Sequence, residues 1–310
     1  GLNRRDTAHD IIFAGIQSVH KRATEIGHID LVIIDECHLV PKSGIGMYLR
    51  FLKTMEVINP KIRVVGLTAT PYRLNSGSLI EGQDRLFTDI AYDVDVMQLV
   101  NDGYLSPLVA KAMDAEFDLS GIHTRAGDYK ADELHKLTES DALARQVLVE
   151  ILAYGRQRKS WLIFCTGVNH AEKMATIIAE HGITTATITG STLPDERDFI
   201  LAQFKAGDIQ CLTNCDVLTT GFDAPAIDML LVFLRPTQSP GLYVQMCGRG
   251  MRLAENKNDC LVLDFGGNTQ RHGPINALNP PSETTARGSK GAPPSRTCPA
   301  CKTIMAASCT

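Results

Sequence analysis

Two adjacent carboxylates, Asp35 and Glu36, follow the apolar residues 32–34 in the stretch VIIDECHLV. In open α/β sheets, chemistry gathers at the carboxyl ends of the strands. An aspartate in that place can hold Mg²⁺ beside nucleotide phosphates, and a neighbouring glutamate can polarise an attacking water as general base. Acidic pairs also cap helices, so these two residues alone leave both interpretations open.

Hydroxyl groups and a glycine loop are the next candidates. Thr68 and Thr70 follow another apolar run, in LTATP, and their short hydroxyls are suited to linking the carboxylates to a second domain. A hydroxyl-rich turn before a proline is the alternative. In TTGFDAPAID, Gly221 lets the backbone approach a phosphate or ribose closely, and Asp223 is suited to accept a ribose hydroxyl. These four residues are the candidate cofactor contacts.

The stretch YVQMCGRGMR, residues 243–252, places Gln245, Arg249 and Arg252 along one predicted helix. The two arginines are three residues apart, so they share a helix face. Two guanidiniums on one face can clamp a γ-phosphate and stabilise the charge that develops on it. A solvated basic face is the alternative, although the glycines in this stretch would be poor choices for one.

Three of the nine cysteines, Cys298, Cys301 and Cys309, are spaced like metal ligands. They lie in CPACKTIMAASCT, which is typical of the start of a zinc ribbon. A structural zinc site takes four ligands, so we expect zinc in the full-length protein and an incomplete site in this chain. Free thiols are the alternative. The other six cysteines lie in or beside apolar runs and are interpreted as small core residues in a reduced compartment.

The elements that must position these groups follow an α/β pattern. Two helical patterns are clear: residues 168–182 end at Gly182, a predicted C′ residue, and residues 193–207 begin with Pro194 and acidic residues and end at Gly207. Apolar strands that alternate with such helices predict parallel sheets covered on both faces. The strand-like runs are IIFAGI, LVIID, RVVGLTA, SWLIFC, TATITG, IQCLTN, DMLLVFL and CLVLDF.

The chain is predicted to contain two α/β domains of the same kind. The first spans residues 1–105, and the second spans residues 141–266. Residues 106–140, which are more polar and irregular, are interpreted as the linker between them. Residues 267–310, rich in proline, glycine and serine, are predicted to form a flexible tail.

Composition restricts location and partners. The net charge is −4, so any basic surface for nucleic acid must be local. No apolar run approaches the roughly 20 residues that span a bilayer, and the first residues do not resemble a signal peptide. We therefore expect a cytoplasmic protein that has no membrane partner; the family resemblance given below implies the bacterial cytoplasm or nucleoid.

Seven short motifs occur in the order typical of superfamily 2 helicases. They are IIFAGIQSV, DECH, TATP, LIFC, ITGS, TTGFD and QMCGRGMR. The chain resembles that superfamily, and the resemblance implies two RecA-like domains that close around ATP and Mg²⁺ while nucleic acid lies across both. The longer strings GLTATPYR, GYLSPL and CGRGMRLAENKNDCLVLDFGGNTQRHGPI resemble more narrowly the bacterial RadD (YejH) family of DNA-repair helicases.

The resemblance implies further residue roles. Asp35 would hold Mg²⁺, Glu36 would orient the water, and His38 would couple the site to the second domain. Arg249 and Arg252 would act as arginine fingers, with Gly221 and Asp223 near the nucleotide. The implied contacts with a sugar–phosphate backbone are Gln17, Ser18, Thr166, Gly190, Ser191 and Thr213.

The sequence departs from the family at one motif, because it contains no G-x-x-x-x-G-K-[ST] phosphate loop. We therefore expect the chain to begin inside the first domain and to be inactive alone. The favoured function is an ATP-dependent helicase or translocase of DNA repair. Its candidate partners are single-stranded or branched DNA, with RNA still open, and DNA-repair proteins. The alternatives are a restriction-system motor and a nucleic-acid-binding module without turnover.

Overall fold

The computed structural model describes residues 6–41, 44, 46–70, 72–73, 77–82, 85–125, 127–215, 217, 229–275 and 295–306. The described residues form two compact units, which are divided between Asp93 and Val94. Each unit is described by itself below.

In the first unit, a pair of parallel strands is covered by one longer helix. Strand β1 (Leu31–Ile34) pairs with β2 (Arg63–Gly66), with Ile34 opposite Gly66. Helix α3 (Met47–Ile58) packs its buried Phe51 and Met55 against this unit's core. The shorter elements are α1 (Ile16–Val19), α2 (Ala23–Ile26), a 3₁₀ turn (Cys37–Leu39) and the hairpin of β3 (Tyr72–Arg73) and β4 (Gly77–Ser78).

The second unit contains a six-stranded sheet in the order β5-β12-β11-β8-β10-β9. Every strand pair in it is parallel. Its strands are β5 (Leu108–Lys111), β8 (Ser160–Phe164), β9 (Thr185–Ile188), β10 (Cys211–Asn214), β11 (Met229–Phe233) and β12 (Cys260–Asp264). All residues of β8 are buried, as expected for a strand covered on both faces.

Helices cover both faces of this sheet. On one face, α6 (Asp141–Gly155) and α7 (Val168–Ala179) pack against a core that includes Trp161 and Ile163. On the other face, α8 (Pro194–Ala206) and α9 (Pro240–Gly250) pack against Leu162 and Phe164. The remaining elements of the unit are α4 (Val96–Asn101), β6 (Thr124–Arg125), β7 (Asp128–Tyr129), α5 (Ala131–Thr138), α10 (Asn268–His272), β13 (Ser295–Thr297) and β14 (Ile304–Ala306).

The predicted α/β class and parallel sheet are confirmed, and the helix boundaries are close to those expected. Pro194 begins α8, and Gly207 caps it in the left-handed conformation. Gly182 also has positive φ, but α7 ends at Ala179, so the glycine lies one position later than predicted.

One predicted strand is wrong. Residues 11–15 of the run IIFAGI have no strand pairing, and its last residue, Ile16, begins α1. Ile11 and Phe13 are exposed, so the run does not form the buried strand that its composition favoured.

The segments that were predicted to be a linker and a flexible tail contribute to the second unit. Residues 108–111 of the expected linker form the edge strand β5, because they pair with β12, and residues 131–138 form α5. In the expected tail, α10 and an antiparallel hairpin of β13 and β14 are formed. The second unit therefore begins earlier in the chain than composition indicated.

Candidate functional site

The two carboxylates lie where the sequence placed them, directly after β1. The backbone N–H of Leu67 donates to Ile34 O at 2.9 Å, and that of Cys37 donates to Leu67 O at 3.0 Å, so the turn after β1 is bonded to the end of β2. The Asp35 carboxylate is exposed and accepts the N–H of Glu36 at 2.9 Å. The turn is therefore held by backbone bonds, and its acidic groups stay accessible to a cation.

Glu36 has left-handed backbone, with φ 49° and ψ 46°. For a residue with a side chain, this conformation costs about 1–3 kcal/mol and is concentrated at functional sites. The side chain is half-buried, and its Oε2 lies 3.3 Å from His38 Nδ1. The strain is thus found at the residue that the sequence assigned to water activation.

A short hydrogen-bond network connects this turn to Thr68 and Thr70. The Thr68 hydroxyl donates to Thr70 O at 3.1 Å and accepts the Thr70 N–H at 3.0 Å. Since its one hydrogen is used, Thr68 must accept from His38 Nδ1, which lies 2.9 Å away. The network therefore favours the tautomer with a proton on Nδ1, and the Glu36 carboxylate lies beside this nitrogen.

Gly66, the last residue of β2, packs closely against two side chains. A Cβ at this position would lie 2.3 Å from the Phe87 ring and 2.7 Å from Cys37 Sγ. A larger residue fits only if the Phe87 ring and the Cys37 side chain shift. Gly66 was not among the predicted site residues, although a glycine in a strand is a recognised signal of close approach.

Gln17 and Ser18 are both exposed on α1. Gln17 lines a cavity of about 440 Å³ that Asp35 also lines, together with mostly apolar residues of α1, β1 and α3. The structure therefore brings one of the two predicted nucleic-acid contacts of this unit close to the carboxylate turn.

The predicted arginine pair of the second unit does not share a helix face. Gln245 and Arg249 lie on α9, with Arg249 buried, but the helix ends at Gly250. Arg252 lies beyond the C-cap residue Met251, and partial burial lowers the pKa of its guanidinium. The prediction of one continuous helical stretch was wrong in its last turn, where the two glycines weaken the helix.

The other predicted contacts of this unit differ in exposure. Gly190 and Ser191 are exposed between β9 and α8. Thr213 is fully buried within β10, where its hydroxyl lies 2.8 Å from that of Thr187. Thr213 therefore lies inside the sheet, and its contact with nucleic acid stays a prediction.

Thr166 is also buried, and it contacts residues that were not predicted to belong to the site. Its hydroxyl lies 2.7 Å from the Thr138 hydroxyl and 3.0 Å from His170 Nδ1, and its carbonyl oxygen lies 2.8 Å from His135 Nε2. Burial lowers the pKa of His170 to about 4, so this ring is neutral at physiological pH. Helix α5 therefore covers the predicted contact, and only the fold reveals this.

A polar cluster holds the loop between β11 and α9. The Asp128 carboxylate accepts from the Thr237 hydroxyl at 2.9 Å and from the Gln238 N–H at 2.7 Å. From the other side, Asn268 Oδ1 accepts the Thr237 N–H at 2.8 Å. These residues fix the start of the helix that carries Gln245 and Arg249. The sequence reasoning missed them because the partners are about 30 to 110 residues apart.

Two of the candidate zinc ligands lie in the hairpin of β13 and β14. Cys298 donates its N–H to Thr303 O at 2.9 Å, and the Cys301 thiol lies 3.2 Å from the Thr303 hydroxyl. Hydrogen bonds from the hydroxyl and backbone of Thr303 lower the pKa of Cys301 to about 7. Within the described residues, no group of three or more His, Cys, Asp or Glu is arranged to hold a metal.

Three predicted site residues, Gly221, Asp223 and Cys309, lie outside the described residues. As for membranes, none of the described helices combines the length and the apolar character that a bilayer span requires.

Two protein families match the chain. Residues 2–73 match the type III restriction enzyme res subunit, and residues 143–254 match the helicase conserved C-terminal domain. Together these two matches cover more than half of the 310 residues.

Two proteins described as ATP-dependent helicases are similar to this chain, in agreement with both family matches. The IRC3 protein of Saccharomyces cerevisiae, described as an ATP-dependent helicase, is 30% identical over 262 residues, which are 83% of this chain and 37% of IRC3. The irc3 protein of Schizosaccharomyces pombe, described as a mitochondrial ATP-dependent helicase, is 33% identical over 78% of this chain and 39% of its own length. The chain thus spans less than half of either relative.

A solved structure extends the likeness to the fold. It is a fragment described as the HsdR subunit of a type I restriction enzyme from Vibrio vulnificus YJ016. It is 26% identical, with a TM-score of 0.59 over 82% of this chain and 47% of that one.

The parallel sheet and the carboxylate turn define an α/β protein of the RecA-like class. The family matches make the assignment more specific: the chain belongs to the superfamily 2 helicases. The broad resemblance stated from the motifs is confirmed, and the narrower resemblance to the RadD family stays a prediction.

Proposed function

We propose that the protein containing this chain is an ATP-dependent helicase or translocase that acts on nucleic acid. The observation that carries the proposal is the carboxylate turn, where a strained Glu36 and an exposed Asp35 are held at the end of β1 by bonds to β2. Membership of the superfamily and similarity to ATP-dependent helicases support the same activity.

The residues of this turn fit Mg²⁺ bound to ATP. Mg²⁺ is usually held in nucleotide sites by one or two carboxylates together with the phosphates, so it does not require a protein cage. Asp35 would hold the ion, and the ion would neutralise charge on the phosphates. Glu36 would orient the water and accept its proton. Thr68 orients the His38 ring, and Nδ1 of this ring lies 3.3 Å from Glu36 Oε2.

For the second unit, we propose Arg249 and Arg252 as the cations that stabilise phosphate charge. The proposed contacts with a sugar–phosphate backbone are Gln17 and Ser18, which are exposed on α1, and Gly190 and Ser191, which are exposed between β9 and α8. Contacts of this kind position a strand without reading its bases, so DNA and RNA both stay open as substrates.

The deciding experiment is ATP hydrolysis by the whole protein, measured with and without single-stranded DNA and RNA. We expect hydrolysis that increases severalfold with one of the two nucleic acids. Binding of nucleic acid without hydrolysis under any condition would instead support the module without turnover.

A restriction-system motor is the second candidate. The match to the type III restriction enzyme res subunit and the likeness to the HsdR fragment favour it. Site-dependent cleavage of unmethylated DNA by the purified protein or its complex would support this candidate over repair.

The narrower assignment, DNA repair in the bacterial cytoplasm or nucleoid with repair proteins as partners, rests on the longer sequence strings alone. It predicts that cells without the protein are sensitive to DNA damage, and that fractionation finds the protein with soluble protein or chromosomal DNA. Normal survival of such cells after damage would contradict it.

We also propose that Cys298 and Cys301 hold half of a structural zinc site. The lowered pKa of Cys301 favours the thiolate that zinc needs, and the hairpin is fixed to the sheet because Lys111 Nζ donates to Cys301 O at 2.7 Å. We expect one zinc ion per whole chain by metal analysis. Cys298→Ser should remove it, and the buried-cysteine control Cys215→Ala should not. Zinc-free wild type would contradict the proposal.

A further inference from the structure

The turn after α9 is held by donors from two other parts of the second unit. The carbonyl oxygens of Gly250 and Arg252 accept from Lys257 Nζ at 2.6 Å and 2.7 Å. The carbonyl oxygen between them, on Met251, accepts the backbone N–H of Ser106 at 2.7 Å. Three consecutive carbonyl groups at the helix end are thus bonded from outside the helix.

Helix ends leave carbonyl groups without an intrahelical partner, and a cation there also interacts favourably with the helix dipole. Lys257 meets both requirements at the point where α9 stops. Bonds from an ammonium group are stronger than neutral ones. The path of the chain from Gly250 to Arg252 is therefore fixed by a charged group.

Packing against the sheet fixes the same turn. A Cβ on Gly250 would lie 2.5 Å from Cys260 Sγ and 2.6 Å from Leu231 Cδ1, so the backbone is pressed against the sheet. The segment that contains Ser106 is also held in place, because Pro107 O accepts the N–H of Cys260, the first residue of β12, at 2.9 Å. The turn is consequently held by packing as well as by hydrogen bonds.

We propose that Lys257 is a positioning residue for Arg252. Its ammonium group holds the turn so that the guanidinium of Arg252 is presented in a fixed direction. Preorganised charge needs no rearrangement during reaction, which is why such positioning affects the rate of the chemical step more than substrate binding. This inference rests on the proposed role of Arg252 in ATP hydrolysis.

The test compares Lys257→Met, Lys257→Arg and the control Lys205→Met in the whole protein. Lys205 is exposed in the last turn of α8. We expect Lys257→Met to lower kcat for ATP hydrolysis by about 10–100-fold, with KM for ATP changed by less than about twofold. Lys257→Arg keeps the positive charge and can still donate to both carbonyl groups, so it should recover most of the rate. Lys205→Met should behave as wild type.

Amide hydrogen exchange supplies a readout that does not depend on hydrolysis. The Ser106 N–H is bonded to Met251 O, so it should exchange faster in Lys257→Met, while amides in β8 keep their protection. Unchanged exchange at Ser106 would overturn the positioning role. So would equal losses of kcat in Lys257→Met and Lys257→Arg, or a rate loss explained by unfolding. If the wild type does not hydrolyse ATP, the proposed function fails, and the exchange at Ser106 still decides whether Lys257 holds the turn.

Discussion

Glu36→Gln should lower kcat for ATP hydrolysis by about 10²–10⁴-fold in the whole protein, because the amide cannot accept a proton from the attacking water. The substitution keeps the size of the side chain and its position beside His38 Nδ1, which lies 3.3 Å from Glu36 Oε2. ATP affinity should therefore change little. Single-turnover hydrolysis and equilibrium binding of a fluorescent ATP analogue measure the two effects separately.

Glu56→Gln is the matched control, since Glu56 is exposed on α3 in the same unit. It should hydrolyse ATP at the wild-type rate. A Glu36→Gln protein within threefold of the wild type would show that another group activates the water. Loss of ATP binding together with hydrolysis would show that Glu36 acts mainly on the nucleotide or its metal ion.

The sequence predicted the second unit well because its strands are buried on both faces. Such strands are almost uniformly apolar, and the five predicted there from residues 160–265 all occur in the sheet. The carboxylate turn was predictable for a related reason. The position of a charged pair directly after an apolar run depends only on local sequence, and the ends of parallel strands lie at one edge of a sheet.

The groups that surround and hold these sites were not predictable in the same way. His135 and Thr138 cover Thr166 from α5, in a segment that composition assigned to a linker. Strand β5 was missed there as well, because the four residues Leu108–Lys111 carry too short an apolar pattern. The cover over Thr166 and the strand β5 can be predicted only if the distant partner in the sequence is known. Hydrophobic periodicity carries no information about that partner.

The same limit applies to the arginine pair. Helical spacing predicted a shared face for Arg249 and Arg252, but the carbonyl groups after Gly250 bond Lys257 and Ser106 in place of continuing the helix. The two arginines therefore differ in environment. Arg249 is buried in the helix, whereas Arg252 lies partly exposed in the turn. Their substitution should have different consequences.

Arg252→Ala should lower kcat for ATP hydrolysis by about 10³-fold or more while the melting temperature stays close to that of the wild type, as expected for an arginine that stabilises developing phosphate charge. Arg249→Ala should lower both quantities, since truncating a buried side chain also removes packing. Arg252→Lys should recover little, because a lysine lacks the planar fork of donors. Arg156→Ala, an exposed site at the end of α6, is the control.

The most direct measurement compares the affinity of Arg252→Ala for ADP with its affinity for ADP and aluminium fluoride, a transition-state analogue. A group that acts on charge developing in the transition state should affect the analogue far more than ADP itself. Equal losses for both ligands would assign Arg252 to ordinary nucleotide binding. If the variant bound both ligands as tightly as the wild type but no longer bound nucleic acid, Arg252 would be assigned to contact with the nucleic-acid strand and not with the phosphates.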